Sequence, residues 1–353
     1  MSDPFFSIIV PVFNKSKWLD TNINQLFNQS FKDFEIIIIN DGSTDPSKEK
    51  IDLLLKRHSG IRNFNQANKG VGEARNVGIN NARGSYVCFF DIDDKIPENW
   101  LERIYSILKD SRQPDLLIYS YEEISGKYNT KSLFVFPDKK YNDNSEIKDD
   151  FVKYFSGIRF NNGFVWNKVY KKDFLDKNNI RFTGLKIQQD EVFNHVVYRF
   201  ANSLVTSSEI LYEYFVYDKG NIRNTYIADR LKIFEEVKKS FLRLSDFWDI
   251  NDKEFIDYVN LRFIRNVLNN RNPGKTELKS DYRNKIFASP DFEESANLVL
   301  SQCPQRIDGI EKEYLKAVIS KSKIRFVLLE YLRELSLLSR GIYRKVKSFK
   351  GKS

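Results

Sequence analysis

Asp91-Ile92-Asp93-Asp94 puts three carboxylates within four residues. Carboxylates this close repel each other, and a cation relieves the repulsion. Hard divalent ions such as Mg²⁺ or Mn²⁺ prefer oxygen ligands and often share them with substrate phosphates. An acidic turn that merely capped the helix after Pro97 would need one carboxylate only. Upstream lies Asn40-Asp41-Gly42-Ser43-Thr44-Asp45. Gly42 permits a tight turn there, and Ser43 or Thr44 can cap a following helix. Asp41 stands where a ligand's donors could meet it. Between the two acidic stretches, Asn68-Lys69-Gly70-Val71-Gly72-Glu73-Ala74-Arg75-Asn76 forms a glycine-rich turn leading to a helix that bears Arg75. Such a turn suits a phosphate or a nucleobase edge. It is not the dinucleotide fingerprint, because Arg75 occupies the place of the third glycine.

Alternating elements must hold these residues. Apolar runs at 6–12, 34–39, 61–64, 86–90 and 116–121 read as strands, the first continuous enough to be buried on both faces and the second rich in isoleucine. Helical spacing links Trp18, Leu19, Ile23, Leu26 and Phe27, then Leu53 to Leu55, then Val71, Ala74, Val77 and Ile79. Pro97 opens a further helix carrying Trp100, Leu101, Ile104 and Leu108. Strand and helix in alternation predict an α/β layer with a mostly parallel sheet. Ligands of such sheets bind beyond the carboxyl ends of the strands, which is where Asp41 and Asp91 fall. After Tyr121 the rhythm breaks: residues 122–145 are polar and irregular, with an apolar burst at 133–136 that reads as a strand or hairpin. A strand is expected at 210–217, and a helical pattern follows almost to the end.

The 353 residues suggest two domains, or one with an appendage. The 29 Phe and 18 Tyr exclude disorder over most of the length. Cys88 and Cys303 alone exclude a disulfide scaffold and a Cys-based zinc module, and His58 and His195 alone exclude a multi-histidine metal site. Acid–base chemistry therefore falls to carboxylates. Net charge is +9, of which the last thirty residues supply +6. That concentration argues against a general nucleic-acid binder, which would spread its charge over a folded face. No apolar stretch reaches 18 residues, and Met1-Ser2-Asp3-Pro4 lacks the character of a signal peptide, so a cytoplasmic location is expected.

The order and spacing of these motifs, with Ile9-Val10-Pro11-Val12-Phe13-Asn14, resemble the family 2 glycosyltransferases of the GT-A fold. Asp91-Ile92-Asp93-Asp94 is similar to that family's DXD motif. A weaker likeness runs through Trp166-Asn167-Lys168-Val169-Tyr170 and residues 188–193 to about 218. The resemblance implies a GT-A catalytic domain over 1–218 and a mainly α-helical C-terminal region over 219–353. It implies a metal-dependent, inverting, non-processive transferase. The donor would be a UDP-linked sugar, the cofactor Mn²⁺ or Mg²⁺, and the acceptor a cell-surface polysaccharide or lipid-linked oligosaccharide. Pro11 and Phe13 would line the nucleobase pocket, Asp41 would accept from the base, and Asn68 would belong to the same donor site. Arg75 would lie near base and diphosphate, Asp91 near the ribose, and Asp93 on the metal. Relatives place the general base at the Asp of a Glu-Asp pair opening a helix. Here Asp190 takes that position and Gln189 replaces the Glu, with Glu191 as the fallback. His195 reads as packing. Arg223 would contact the diphosphate.

A sugar nucleotidyltransferase would need a glycine-rich basic loop after the first strand. A haloacid-dehalogenase-like phosphatase would carry its aspartates at the end of that strand, and neither pattern occurs. A catalytically silent scaffold would have lost the DXD or the base. At the C-terminus, Ile324, Leu328, Tyr331, Leu335, Leu338, Ile342 and Phe349 form one apolar stripe, with Arg325, Arg333, Arg340, Arg344 and Lys347 mainly off it. Packing on the catalytic domain, a homo-oligomer, and attachment to an anionic membrane surface are three uses of such a stripe.

Overall fold

Ile8, Ile9 and Val10 in the first apolar run and Ile37, Ile38 and Ile39 in the second are wholly shielded from water. Strands with no polar face must be covered on both sides, which is what an α/β layer provides. The structure is a computed structural model that describes residues 3–58, 60–125, 130–156, 163–217, 226–270 and 276–330. Packing divides the chain into two units, Met1–Asn224 with Ser240–Ile250, and Thr225–Lys239 with Asn251–Ser353.

The first unit opens with β1 (Phe6–Val12), α1 (Ser16–Asn22), α2 (Asn24–Phe27), β2 (Phe34–Asp41), α3 (Ser47–Arg57) and β3 (Ile61–Gln66). It continues with α4 (Val71–Asn81), β4 (Tyr86–Phe89), α5 (Trp100–Asp110) and β5 (Leu116–Ser125). Then come β6 (Thr130–Phe134), β7 (Lys139–Tyr141), α6 (Asn144–Asp150), β8 (Lys168–Lys171), α7 (Lys172–Lys177), α8 (Gln189–Phe200) and β9 (Leu204–Val216). The sheet is mixed and mostly parallel, in the order β3-β2-β1-β4-β8-β5-β9-β7, with β6 on β5. β1 runs parallel to β2, Phe6 opposite Phe34, and to β4, Phe6 opposite Tyr86. Strand order therefore reverses between β1 and β4. The crevice at the carboxyl ends of that reversal is where such sheets bind ligands. Val12, Asp41 and Phe89 close the three strands that meet there.

Several boundaries differ from the sequence reading. The first expected helix is two, α1 and α2, joined at Ile23. The helix expected to open at Pro97 begins at Trp100, with Asn99 at its N-cap and no acidic side chain capping it. The stretch read as irregular is largely ordered. β5 runs on to Ser125, and β6 folds back against it as a hairpin, Tyr121 opposite Phe134. β8 was not foreseen. Its Lys-Val-Tyr-Lys is too short and too polar to signal a strand, yet it lies antiparallel between β4 and β5. β9 starts six residues before the expected 210, because Ser207, Ser208 and Glu209 interrupt its apolar pattern where its register with β5 shifts.

Helices follow, as expected, the first with residues in both units and the others in the second. α9 (Arg230–Trp248), α10 (Lys253–Leu268), α11 (Thr276–Ala288), α12 (Pro290–Gln302) and α13 (Gly309–Ile319) follow in order. Starts are capped by side chains: Asp252 accepts from the Phe255 amide, Ser289 from Phe292, and Asp308 forms a capping box with Glu311. In the terminal helical stretch 323–330, Ile324 is 78% exposed and Leu328 58%. Phe326, off the expected stripe, is the buried residue, set against Phe287 and Tyr314. The rest of the stripe, from Tyr331 to Phe349, lies outside the described residues. Among the described residues no helix is long and apolar enough to cross a membrane.

Candidate active site

The turn after β2 is built from short polar side chains. Gly42 has φ +69°, and a Cβ there would sit 2.7 Å from the Asn68 amide nitrogen, so only glycine lets the two loops meet. Asp41, 3% exposed, then latches the glycine loop. Its Oδ1 accepts from Gln66 Nε2 at 2.7 Å and the Lys69 amide at 2.8 Å, and its Oδ2 from the Gly70 amide at 2.9 Å. A carboxylate offers about four acceptor positions, so roughly one remains. Asn68 is exposed beside this latch, Phe13 is 43% exposed, and Pro11 is half-buried at the end of β1.

Ser43 and Thr44 do not cap α3. Asn14, at φ +53°, reaches across instead: its Oδ1 accepts from the amides of Thr44 (2.8 Å) and Asp45 (3.2 Å), while its own amide donates to Ser43 Oγ (3.1 Å). Asp45 takes the capping work at both helices, accepting from the amides of Ser16 and Ser47. Burial pushes its carboxyl up, but the hydrogen bonds from Ser47 and Ser16 outweigh that and bring it down to about 2.

The three carboxylates after β4 are separated by their partners. Asp91 accepts from Arg75 Nη2 at 3.0 Å. Asp93 pairs with Lys15. Asp94 is buried, accepting from the Tyr212 hydroxyl at 3.0 Å and the Phe215 amide at 2.9 Å. Burial first, then the charges of Asp91 and Asp93, push the Asp94 carboxyl well above the usual range. The repulsion inferred from the sequence is thus relieved by two cations and one deeply buried acid. Backbone bonds between Lys95 and Glu213 fasten this loop to β9, at 3.1 and 2.9 Å.

Arg75 is 3% exposed and sits over the rings of Phe89 and Phe182, 5.7 and 5.5 Å from their centroids. Beyond the bond to Asp91, its Nε and Nη1 are buried without a partner. Unpaired buried donors are costly, and they concentrate where a ligand or a catalytic role compensates.

On the other side stands α8. Gln188 at its start takes a left-handed conformation, φ +61°. Asp190 follows in the first turn and is half-buried, whereas Glu191 is 5% exposed and packs against Gly163. Of the two acids, Asp190 is the more exposed. Gly72 lets α4 approach this segment: a Cβ there would sit 3.2 Å from Gln189 Cγ. His195 is 4% exposed, its Nδ1 2.7 Å from Ser240 Oγ and its ring against Phe241, as a packing residue would be.

Sequence reasoning gave no role to Lys15 or Lys168. Lys15 gave no signal beyond its place next to the first motif. Lys168 is fully buried and donates to the Phe164 carbonyl at 2.7 Å and Asn167 Oδ1 at 2.9 Å. Burial pushes its ammonium well below the usual range, while the charge of nearby Asp190 pulls it back up. Asn194, one turn after Asp190, donates to the carbonyls of Gly163 and Phe164 and accepts from the Tyr170 hydroxyl, so α8 is pinned to β8. Burial pushes the Tyr170 hydroxyl well above its ordinary range. Arg223 lies outside the described residues.

The model of glycosyl transferase family 2 matches residues 7–174. The putative glycosyltransferase EpsH of Bacillus subtilis is 30% identical over 312 residues, spanning 84% of this chain and 86% of its own. The poly(ribitol-phosphate) beta-N-acetylglucosaminyltransferase TarP of Staphylococcus aureus is 31% identical over 66% of this chain and 72% of its own. The crystal structure of S. aureus TarS 1–349 in complex with UDP-GlcNAc has a TM-score of 0.63 at 19% identity. It covers 95% of this chain and 92% of that one, a likeness of fold.

Proposed function

The chain belongs to glycosyl transferase family 2, and from that premise we propose an inverting, metal-dependent transferase that moves one sugar from a UDP-linked donor to an acceptor hydroxyl. The acceptor we propose is a cell-surface polysaccharide or a lipid-linked oligosaccharide. The names of TarP and of the TarS complex support that choice of donor and acceptor class.

One observation carries the reading. Gly72 brings α4, which bears Arg75, against the start of α8, which bears Asp190, so a donor-side cation and a half-buried carboxylate stand on adjoining helices. In the proposal, the base rests against Pro11 and Phe13, with Asn68 and the remaining acceptor position of Asp41 at its edge. Asp91, steadied by Arg75, meets the ribose. Arg75 and Arg223 supply positive charge near the diphosphate. Among the described residues no cluster of three or more His, Cys, Asp or Glu could hold a metal alone. The donor set fits a hard cation that takes one carboxylate, Asp93, and draws its other ligands from the diphosphate and water. The ammonium of Lys15 beside Asp93 supports a cation at that position. Such an ion would neutralise charge on the leaving diphosphate. Asp190 takes the acceptor hydroxyl proton as that oxygen bonds to the anomeric carbon. The bond from that carbon to the β-phosphate oxygen breaks, and UDP leaves with the electron pair.

The test is a panel of nucleotide sugars incubated with the protein, with and without Mn²⁺, scoring nucleoside diphosphate release. Release from one UDP-sugar that depends on Mn²⁺ is expected. No release from any donor, together with no binding of UDP, would point to the silent scaffold instead.

A further inference from the structure

We propose that Lys15 is a resident counter-ion of Asp93, standing in the nucleotide-free enzyme where the divalent cation binds and so making cation binding conditional on the nucleoside diphosphate. The proposal rests on the reading of Asp93 as the cation's protein ligand.

The three acids of the loop differ in what neutralises them. Asp91 faces Arg75, whose side chain is 3% exposed and enclosed by Phe89 and Phe182. Asp94 is held by Tyr212 and the Phe215 amide. Neither partner can leave without opening the core. The Lys15–Asp93 pair is different, with side chains 30% and 22% exposed, so water reaches both partners. A lysine ammonium on its flexible stem can exchange partners there without disturbing the fold.

Its backbone, by contrast, is fixed. The Lys15 amide donates to Ser47 Oγ at 2.9 Å, and its neighbours Asn14 and Ser16 are tied to the 44–45 turn. The ammonium lies 4.9 Å from the centre of the Trp18 ring. Trp18 meets Tyr217 edge-on, and the Tyr217 hydroxyl donates to the Asp93 carbonyl at 3.2 Å. Loop and ring therefore aim the lysine at Asp93 from both sides.

Two consequences follow. A cation arriving alone must displace the ammonium and then tolerate it nearby. A cation arriving with a diphosphate meets a lysine that gains phosphate oxygens as a new partner. Cation and nucleotide thus bind with positive coupling, and linkage makes the effect reciprocal.

The experiment titrates Mn²⁺ into the full chain, following the free-ion paramagnetic resonance signal, with and without UDP. Lys15→Met, Lys15→Arg and Asp93→Asn are compared with wild type, folding being checked by thermal melting. Removing an exposed pair and a like charge should strengthen nucleotide-free Mn²⁺ binding about three- to tenfold in Lys15→Met. The gain that UDP confers should shrink by a similar factor, and Lys15→Arg should stay near wild type. Mn²⁺ binding that depends on Asp93 yet is unchanged in Lys15→Met overturns the Lys15 proposal alone. Tighter binding with an undiminished UDP effect overturns the coupling. If Asp93→Asn binds Mn²⁺ as wild type does in the presence of UDP, the metal role of Asp93 fails and the proposal falls with it.

Discussion

Replacing Asp41 by Ala should release the glycine loop and weaken the nucleotide site together. Asp41 receives three hydrogen bonds from its own chain, two of them from the consecutive amides of Lys69 and Gly70. A hydrogen bond to a charged group contributes about 1.5–3 kcal/mol. Lys69 is exposed and Gly70 half-buried, so water replaces part of what the amides lose, and the lower end of that range applies to each. The exposed loop can also relax, while burial of the carboxylate no longer has to be offset. The expected loss is therefore about 2–3 kcal/mol. For a unit of this size it lowers the melting temperature by about 5–9 °C. Asn, which keeps one acceptor oxygen, should lose about half as much. The assay is thermal melting combined with amide hydrogen exchange. The Lys69 and Gly70 amides should exchange far faster in Asp41→Ala, while those of β1 keep their protection. UDP affinity should fall as the loop loses its fixed shape. A variant melting within about 1 °C of wild type, with Lys69 and Gly70 exchange unchanged, would refute the latch.

Asp190→Asn should retain UDP affinity and lose about 10²–10⁴-fold in transfer rate; near wild-type transfer by Asp190→Asn alongside a dead Glu191→Gln would move the base by one residue. Asp93→Ala should abolish the Mn²⁺-dependent part of UDP binding with its melting curve intact, and equal UDP affinity to wild type in Mn²⁺ would remove the metal assignment. Asp45→Ala should cost about 1 kcal/mol, because it unties the starts of both α1 and α3. Its folded pKa lies near 2, below the ordinary 3.8, so the stability it adds is complete above about pH 4 and is lost as pH falls through 2. Acid titration of stability over that window should therefore be shallower in the variant, and an identical slope would count against the cap.

The sequence by itself determined the layer and which acids and glycines stand at its strand ends. Runs such as Ile36 to Ile39 have no polar face, so any fold must bury them from both sides. Glycine and acid immediately after such runs necessarily fall at strand ends. That much is local, and periodicity carries it. Asp190 was singled out through the family resemblance rather than through any pattern of its own helix, and only the structure distinguishes its half-buried side chain from the buried Glu191. The partners of these acids were not legible. Lys15 and Asp93, Arg75 and Asp91, and Tyr212 and Asp94 meet because the segment after β1, the helix α4 and the strand β9 all reach the loop after β4. A hydrogen bond between distant side chains leaves no period in either segment. The same holds for β8, whose four residues become a strand because β4 and β5 both need a neighbour there. Local propensity can name a carboxylate, but only the tertiary structure decides whether a cation, a hydroxyl or an amide neutralises it, because that depends on which strand ends converge.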